Sequence, residues 1–119
     1  QIYSIADCVI VPSMIESFGQ VAAEALSCST PVICFDTSGL KDIVIHKYNG
    51  LVASTFSEKS LCDQIIKMIE LNKQERQMMG QKARDHILKN FSYPIVTEKY
   101  LKVLHDAIMI KKTKKIKKK

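Results

Sequence analysis

The hydrophobic residues in the first half of the chain form three short runs, each closed by polar or turn-forming residues. Cys8–Val11, Pro31–Phe35 and Leu51–Ala53 are continuous apolar runs of strand length. Such runs, without apolar–polar alternation, are typical of strands covered on both faces of a parallel sheet. Pro12 closes the first run and Pro31 opens the second, because proline cannot donate to a sheet ladder. The pattern therefore predicts three buried parallel strands.

Between and after these runs, apolar residues recur with the 3.6-residue period of helices. The predicted helices are the end of a short helix over 1–7, then Val21–Ser27, Leu40–His46, Glu58–Leu71, Lys73–Lys89 and Ile95–Ile110. Strands that alternate with helices define an α/β protein with a Rossmann-like parallel sheet and flanking helices. Parallel sheets bind ligands at the carboxyl ends of their strands, so we expect the segments 8–19 and 35–40 to converge on one edge.

The segment that links the first strand to the following helix contains the residues best suited to bind a ligand at this edge. It runs from Glu16 to Glu24 as Glu-Ser-Phe-Gly-Gln-Val-Ala-Ala-Glu. Gly19 opens the helix, whose first N–H groups have no intrahelical partner and favour anions such as phosphates. Glu16 lies in the loop and Glu24 in the second turn of the helix. A phosphate-binding helix start between two carboxylates suggests a ligand with both phosphates and hydroxyls, such as a nucleotide sugar.

The net charge of +6 on these 119 residues comes from the end of the chain. Residues 111–119 contain seven lysines, which leaves 11 basic and 12 acidic residues in the rest. The body therefore has no compositional support for binding nucleic acid. We predict one domain over 1–110 and a disordered Lys-rich tail over 111–119. The tail is either a solvated extension or a tether to an anionic membrane surface.

The cysteines and the apolar content bear on the cellular compartment. Cys8, Cys28, Cys34 and Cys62 fit no zinc-binding spacing, and we predict reduced, buried thiols, which favours the cytoplasm. No apolar run approaches the roughly 18 residues of a membrane span. The chain shows no signal-peptide pattern. It begins with Gln1, and the missing initiator Met predicts a fragment or a processed piece.

Six short matches in order resemble the donor-binding half of the group 1 retaining glycosyltransferases, which have the GT-B architecture. They are Ala6-Asp7, Pro12-Ser13, Glu16–Gly19, Glu24-Ala25, Thr30–Val32 and Asn49–Leu51. Two glutamates with seven residues between them occur often by chance, but the ordered series is much more specific. The resemblance is close over residues 1–70 and loose over 74–109. It implies part of the C-terminal domain of such an enzyme.

The resemblance also implies a role for each residue of the loop. Glu16 would contact hydroxyls of the donor sugar and support positive charge at the anomeric carbon, and Glu24 would accept hydrogen bonds from the ribose hydroxyls. The backbone around Gly19 would hold the sugar and the diphosphate, and Gly39 would line the sugar pocket. The residues assigned to the donor site are Glu16, Ser17, Phe18, Gly19, Gln20, Glu24 and Gly39.

Each of these assignments has a structural alternative. Glu16 is also explained as an acid that binds N–H groups of its own loop, and Glu24 as a solvated helix residue. Phe18 is better explained as a core anchor than as a stacking residue. Ser17 stands where many family members have glycine, which leaves the sugar selectivity open.

The reaction implied is transfer, with retention, of a sugar from a UDP- or GDP-linked donor to a saccharide or lipid-linked acceptor, as in polysaccharide biosynthesis. No cofactor and no metal are expected, since the sequence has no Asp-x-Asp. The family's N-terminal acceptor domain and its basic pair for the diphosphate have no counterpart here, so we expect the chain alone to be inactive. Two other readings stay open: a nucleotide-binding or regulatory module without transfer, and an interaction module that uses the basic tail.

Overall fold

The structure, a computed structural model, describes residues 1–116, with side chains as far as Lys111. It contains two units, Gln1–Leu88 and a second that begins at Lys89. The elements in chain order are α1 (Ile2–Ile5), β1 (Val9–Val11), α2 (Gln20–Ser27), β2 (Val32–Phe35), a 3₁₀ turn (Ser38–Leu40), β3 (Gly50–Ala53), α3 (Glu58–Glu70), α4 (Lys73–Phe91) and α5 (Tyr93–Ile116).

The three strands form one parallel sheet in the order β1-β2-β3. Val9 pairs with Val32, and Val32 pairs with Gly50. All four residues of the central strand β2 are buried. Because successive side chains point to opposite faces of a sheet, both faces of β2 must be covered. This confirms the α/β class with a parallel sheet and flanking helices.

The two outer edges of this sheet differ. His46 and Lys47, which precede β3, lie beside its outer edge. The N–H of Lys47 donates to the carbonyl of Gly50 (2.8 Å), and the N–H of Val52 donates to Nδ1 of His46 (2.9 Å). Among the described residues β1 pairs only with β2, and Ile10 on β1 is 43% exposed. The open edge that a three-stranded sheet must leave is therefore at β1.

The helix predicted over Leu40–His46 is wrong. A 3₁₀ turn ends at Leu40, and turns and an isolated bridge from His46 to Gly50 follow it. The reason is Asn49, which is fully buried. Its amide oxygen accepts from the N–H of Ile45 (2.7 Å) and its amide nitrogen donates to the carbonyl of Ile43 (3.0 Å). Those two backbone groups are thus unavailable for a helical ladder.

Helix α5 is longer at both ends than the sequence predicted. Pro94 is its second residue, where the missing N–H costs no helical hydrogen bond. The helix continues through Ile116, which differs from the disorder predicted over 111–119, and residues 117–119 lie outside the described residues. Within the described part of the chain, no helix combines the length and the apolar character that crossing a bilayer requires.

The cysteines are only partly buried, although the sequence predicted buried thiols. All four are free: Cys34 is buried and Cys8 half-buried, whereas Cys28 and Cys62 are exposed. Burial raises the pKa of the Cys34 thiol to about 12, and the Asp36 carboxylate adds to this effect. Cys34 is therefore an unreactive thiol in the sheet.

Candidate functional site

Gly19 connects the loop after β1 to helix α2. Its φ of 90° lies in the left-handed region, which glycine adopts without the strain that a side chain would add. A Cβ built on Gly19 would lie 2.5 Å from Cδ2 of Leu40. Its carbonyl accepts the N–H of Ala23 (2.9 Å), which begins the helical ladder. Glycine is thus required here both for the backbone turn and for the packing of Leu40.

The start of α2 is open. No side chain caps it, and no acidic residue lies in its first turn. The first N–H groups of a helix have no intrahelical acceptor and carry the positive end of the helix dipole. Ser17 and Gln20 are exposed beside this end. This part of the chain therefore offers N–H donors to an anion, as the sequence predicted for a phosphate ligand.

Phe18 does not fill the core as the sequence analysis favoured. It is 45% exposed, next to the start of α2. The core-anchor interpretation of Phe18 is wrong, and its ring contributes apolar surface to the rim of the loop.

The loops that follow β1 and β2 are held together by the backbone of Glu16. Its carbonyl accepts from the N–H of Gly39 (2.9 Å) and from the hydroxyl of Ser38 (3.1 Å). A Cβ on Gly39 would lie 2.5 Å from the carbonyl carbon of Ser17 and 2.6 Å from the oxygen of Glu16. Gly39 is therefore needed because the two backbones touch. The predicted convergence of these segments is confirmed.

Ser38 is a structural residue of this edge that sequence reasoning missed. The signal that could have found it is its hydroxyl, since serine in a loop commonly hydrogen-bonds to nearby backbone. Its bond to the Glu16 carbonyl reinforces the one made by the Gly39 N–H.

The two glutamate side chains differ in exposure: Glu16 is half-buried and Glu24 is exposed. Neither carboxylate makes a hydrogen bond or an ion pair with any other residue in the described part of the chain. Gln20 and Glu24 are four residues apart on α2 and so lie on the same face, one turn apart. The alternative in which Glu16 binds its own loop is not what the structure shows. Both carboxylates keep their oxygens free for a ligand.

The two arginines of the chain are engaged away from this edge. Arg76 binds the Leu71 carbonyl and lies 3.5 Å from the carboxylate of Asp7, which precedes β1. Arg84 donates to the carbonyl of Ser27, at the far end of α2 from Gly19. Over residues 1–116, no cluster of three or more His, Cys, Asp or Glu is arranged to hold a metal. Neither arginine therefore contributes a charge at the start of α2.

Comparison with known proteins identifies the family. The sequence profile of the family described as glycosyl transferases group 1 matches residues 1–86. The chain belongs to this family, and its fold is that of the GT-B glycosyltransferases. It is 34% identical to D-inositol 3-phosphate glycosyltransferase from Saccharomonospora viridis over 107 residues, which are 90% of this chain and 24% of that protein.

Two solved structures show the same fold. Sucrose-phosphate synthase from Thermosynechococcus elongatus superposes with a TM-score of 0.82 at 27% identity, over 92% of this chain and 27% of that one. HepE from Anabaena, in complex with UDP-glucose, superposes with a TM-score of 0.79 at 24% identity, over 88% of this chain and 29% of that one. The chain thus spans about a quarter of the length of the proteins it matches.

Proposed function

We propose that this chain binds the nucleotide-diphosphate-sugar donor of a retaining glycosyltransferase. The observation that carries the proposal is the open start of α2, held against the Gly39 loop, with two unpaired carboxylates beside it. Backbone donors suit a diphosphate, and carboxylates suit hydroxyls. The UDP-glucose complex of the Anabaena neighbour supports a nucleotide sugar as the ligand class. The donor is a UDP- or GDP-sugar.

Each residue then has a defined role. The N–H groups from Ser17 to Gln20 hold the diphosphate and stabilise charge on the departing phosphate. Glu24 accepts two hydrogen bonds from the vicinal hydroxyls of the ribose. Glu16 contacts the sugar and stabilises positive charge at the anomeric carbon, Phe18 borders the site, and Gly39 lines the sugar pocket. The reaction needs no cofactor and no metal from these residues.

Transfer requires more than this segment supplies. The acceptor, a saccharide or a lipid-linked saccharide, would bind an N-terminal domain, and further cations would neutralise the leaving diphosphate. The site described here supplies the donor half of the reaction. A module that binds nucleotide without transfer would share every feature of this half, and activity of the intact enzyme separates the two readings.

Replacing Glu24 with glutamine should weaken donor binding in the intact enzyme by about 1–3 kcal/mol, because charge-assisted hydrogen bonds to the ribose are lost. Calorimetric titration with UDP-glucose and with a GDP-sugar measures this effect. Glu70→Gln, at an exposed position on α3, is the matched control and should leave the affinity unchanged. Equal affinities for Glu24→Gln and wild type, with the fold intact, would remove Glu24 from the site.

The lysines after Ile110 support a second proposal, contact with an anionic membrane surface. Lys111 is exposed at the point where the Lys-rich sequence begins. Each lysine close to an anionic surface contributes about 1 kcal/mol, an attraction that salt screens. Such contact would place a cytoplasmic enzyme at the inner face of the membrane, near a lipid-linked acceptor.

Removal of residues 111–119 should abolish co-sedimentation of the chain with anionic liposomes at low salt. The complete chain should pellet with these vesicles and be released as salt is raised, whereas neutral vesicles should bind neither form. Negligible pelleting of the complete chain on anionic vesicles would leave the lysines as a solvated extension only.

A further inference from the structure

A separate cavity lies at the carboxyl ends of β2 and β3. Its volume is about 440 Å³, within the roughly 300–1,000 Å³ typical of small-molecule sites. The residues that line it include Asp36, Leu40, Lys41, Val44, His46 and Ser54. None of the residues assigned to the donor contributes to its wall. The cavity is therefore distinct from the open start of α2.

The closed edge of β3 explains why this cavity exists. Asn49 stops the helix that would otherwise follow Leu40, and the chain returns to the sheet at His46. The imidazole, fixed by the Val52 N–H, then stands opposite the loop after β2. Thr55 fixes the other side, since its hydroxyl donates to the carbonyl of Asp36 (2.6 Å). The walls are thus held by hydrogen bonds to the backbone on both sides.

The polar groups of the cavity include both donors and acceptors. Asp36 only accepts, Lys41 only donates, and the hydroxyl of Ser54 does both. Because Nδ1 of His46 accepts the N–H of Val52, its proton is on Nε2, which makes that nitrogen a donor. Leu40 and Val44 add an apolar surface. A molecule that carries hydroxyl groups beside an apolar C–H face would find a partner for each of its groups here.

The charges of the cavity balance. The ammonium group of Lys41 lies 3.3 Å from the carboxylate of Asp36, so the rim carries an ion pair. Partial burial, together with the ammonium groups of Lys47 and Lys67, lowers the pKa of His46, which keeps the imidazole neutral at pH 7. A cavity without net charge offers little to a phosphate or a metal ion.

We infer that the cavity between Asp36, Lys41, His46 and Ser54 is a second binding site, which takes a neutral polyol such as a monosaccharide or a cyclitol. The inference stands apart from the proposed donor site. The two sites share the segment from Ser38 to Lys41, in which Ser38 and Gly39 bind the Glu16 carbonyl and Leu40 and Lys41 line the cavity.

Chemical-shift mapping of the ¹⁵N-labelled 119-residue chain tests this inference. Methyl α-glucoside and myo-inositol, each titrated to high millimolar concentration, should shift the amide signals of Lys41, Ala53 and Ser54 in a saturable manner. UDP should instead shift those of Ser17 to Gln20. Shifts that saturate at the cavity with polyol support the inference, and polyol shifts confined to the Ser17–Gln20 loop, or none at all, overturn it.

Two variants and one control complete the test. Lys41→Met keeps the apolar stem but removes the donor, so it should weaken polyol binding by about fivefold or more. Ser54→Leu should fill the cavity and abolish binding, while the backbone bond from Ser54 N–H to Ser60 is retained. Lys59→Met, at an exposed position of α3 outside the cavity, should change nothing. Undiminished polyol binding by the folded Lys41→Met and Ser54→Leu proteins would also overturn the inference.

The titration with UDP tests the proposed donor site independently of the polyol site. UDP binding at the loop without polyol binding at the cavity defeats the inference and leaves the donor site standing. Polyol binding at the cavity without UDP binding at the loop supports the inference and counts against the donor site.

Discussion

Replacing Gly39 with alanine is expected to displace the loops that form the proposed donor site. The new Cβ would lie 2.5–2.6 Å from backbone atoms of Glu16 and Ser17, which cannot rotate away as a side chain could. Overpacking of this kind costs about 1–3 kcal/mol of folding stability. In the intact enzyme, a displacement of about 1 Å at the sugar site can lower the rate by roughly 100-fold.

Gly80→Ala is the matched control for this substitution. A Cβ on Gly80 would lie 2.1 Å from the carbonyl oxygen of Ser29. Ser29 precedes β2, whereas the loops of the proposed donor site follow the carboxyl ends of β1 and β2. Both variants should lower the denaturant midpoint of the chain, but only Gly39→Ala should also reduce donor affinity and turnover in the intact enzyme. Equal effects of the two variants on donor affinity would show that Gly39 matters only for stability.

Replacing Glu16 with alanine should lower kcat in the intact enzyme by roughly 100- to 1,000-fold, the usual cost of removing one group that stabilises charge in the transition state. Donor affinity should change much less, since the charge at the anomeric carbon develops only as the bond to the diphosphate breaks. The backbone carbonyl of Glu16 still binds Gly39 and Ser38 in this variant, so the loop keeps its position.

Initial-rate kinetics with varied donor concentration separates these effects. A rise in KM with kcat unchanged would make Glu16 a residue that binds the ground state only. Glu16→Gln is a useful companion, because the amide retains the shape and one acceptor oxygen but carries no charge. If the charge matters most, Glu16→Gln should be almost as slow as Glu16→Ala.

The sheet could be predicted from the sequence because its signal is local. Uninterrupted apolar runs such as Val32–Phe35 can be satisfied only where both faces of a strand are covered, and this holds in the structure. The N-cap of α3 is an equally local feature, since the hydroxyl of Ser57 accepts the N–H of Ser60 (3.1 Å), three residues further on. These features could be predicted because each signal lies within a few consecutive residues.

The segment after Leu40 was wrongly predicted because its conformation depends on a residue further along the chain. Leu40, Ile43 and Val44 have helical spacing, and all three are buried as that spacing suggests. The buried amide of Asn49 binds the backbone at Ile43 and Ile45 and thereby prevents the helix. An Asn-Gly pair indicates a turn, but it does not reveal which backbone groups the asparagine side chain will bind.

The loop from Glu16 to Gln20 was predicted less completely than the sheet but better than the segment after Leu40. The glycine at the start of α2 was evident from the sequence, and so was the convergence of two loops at one edge of the sheet. Ser38 was missed, and Phe18 was expected in the core, because the exposure of a loop residue depends on how two backbones meet. The close approach of Gly39 to the backbone of Ser17 fixes the relative position of the two loops. It is a tertiary contact, which no local sequence pattern encodes.

The order of the strands has a consequence for how quickly this sheet can form. Each strand pairs with the next one along the chain, Val9 with Val32 and Val32 with Gly50. The entropy lost on closing a loop grows only with the logarithm of its length, and each closure here spans a single crossover. Parallel pairing is usually slow because it joins distant segments, but here the paired residues are only 23 and 18 positions apart along the chain. The sheet is complete only once α3 has been added, because Met68 of that helix packs with Ile33 and Leu51 in the core.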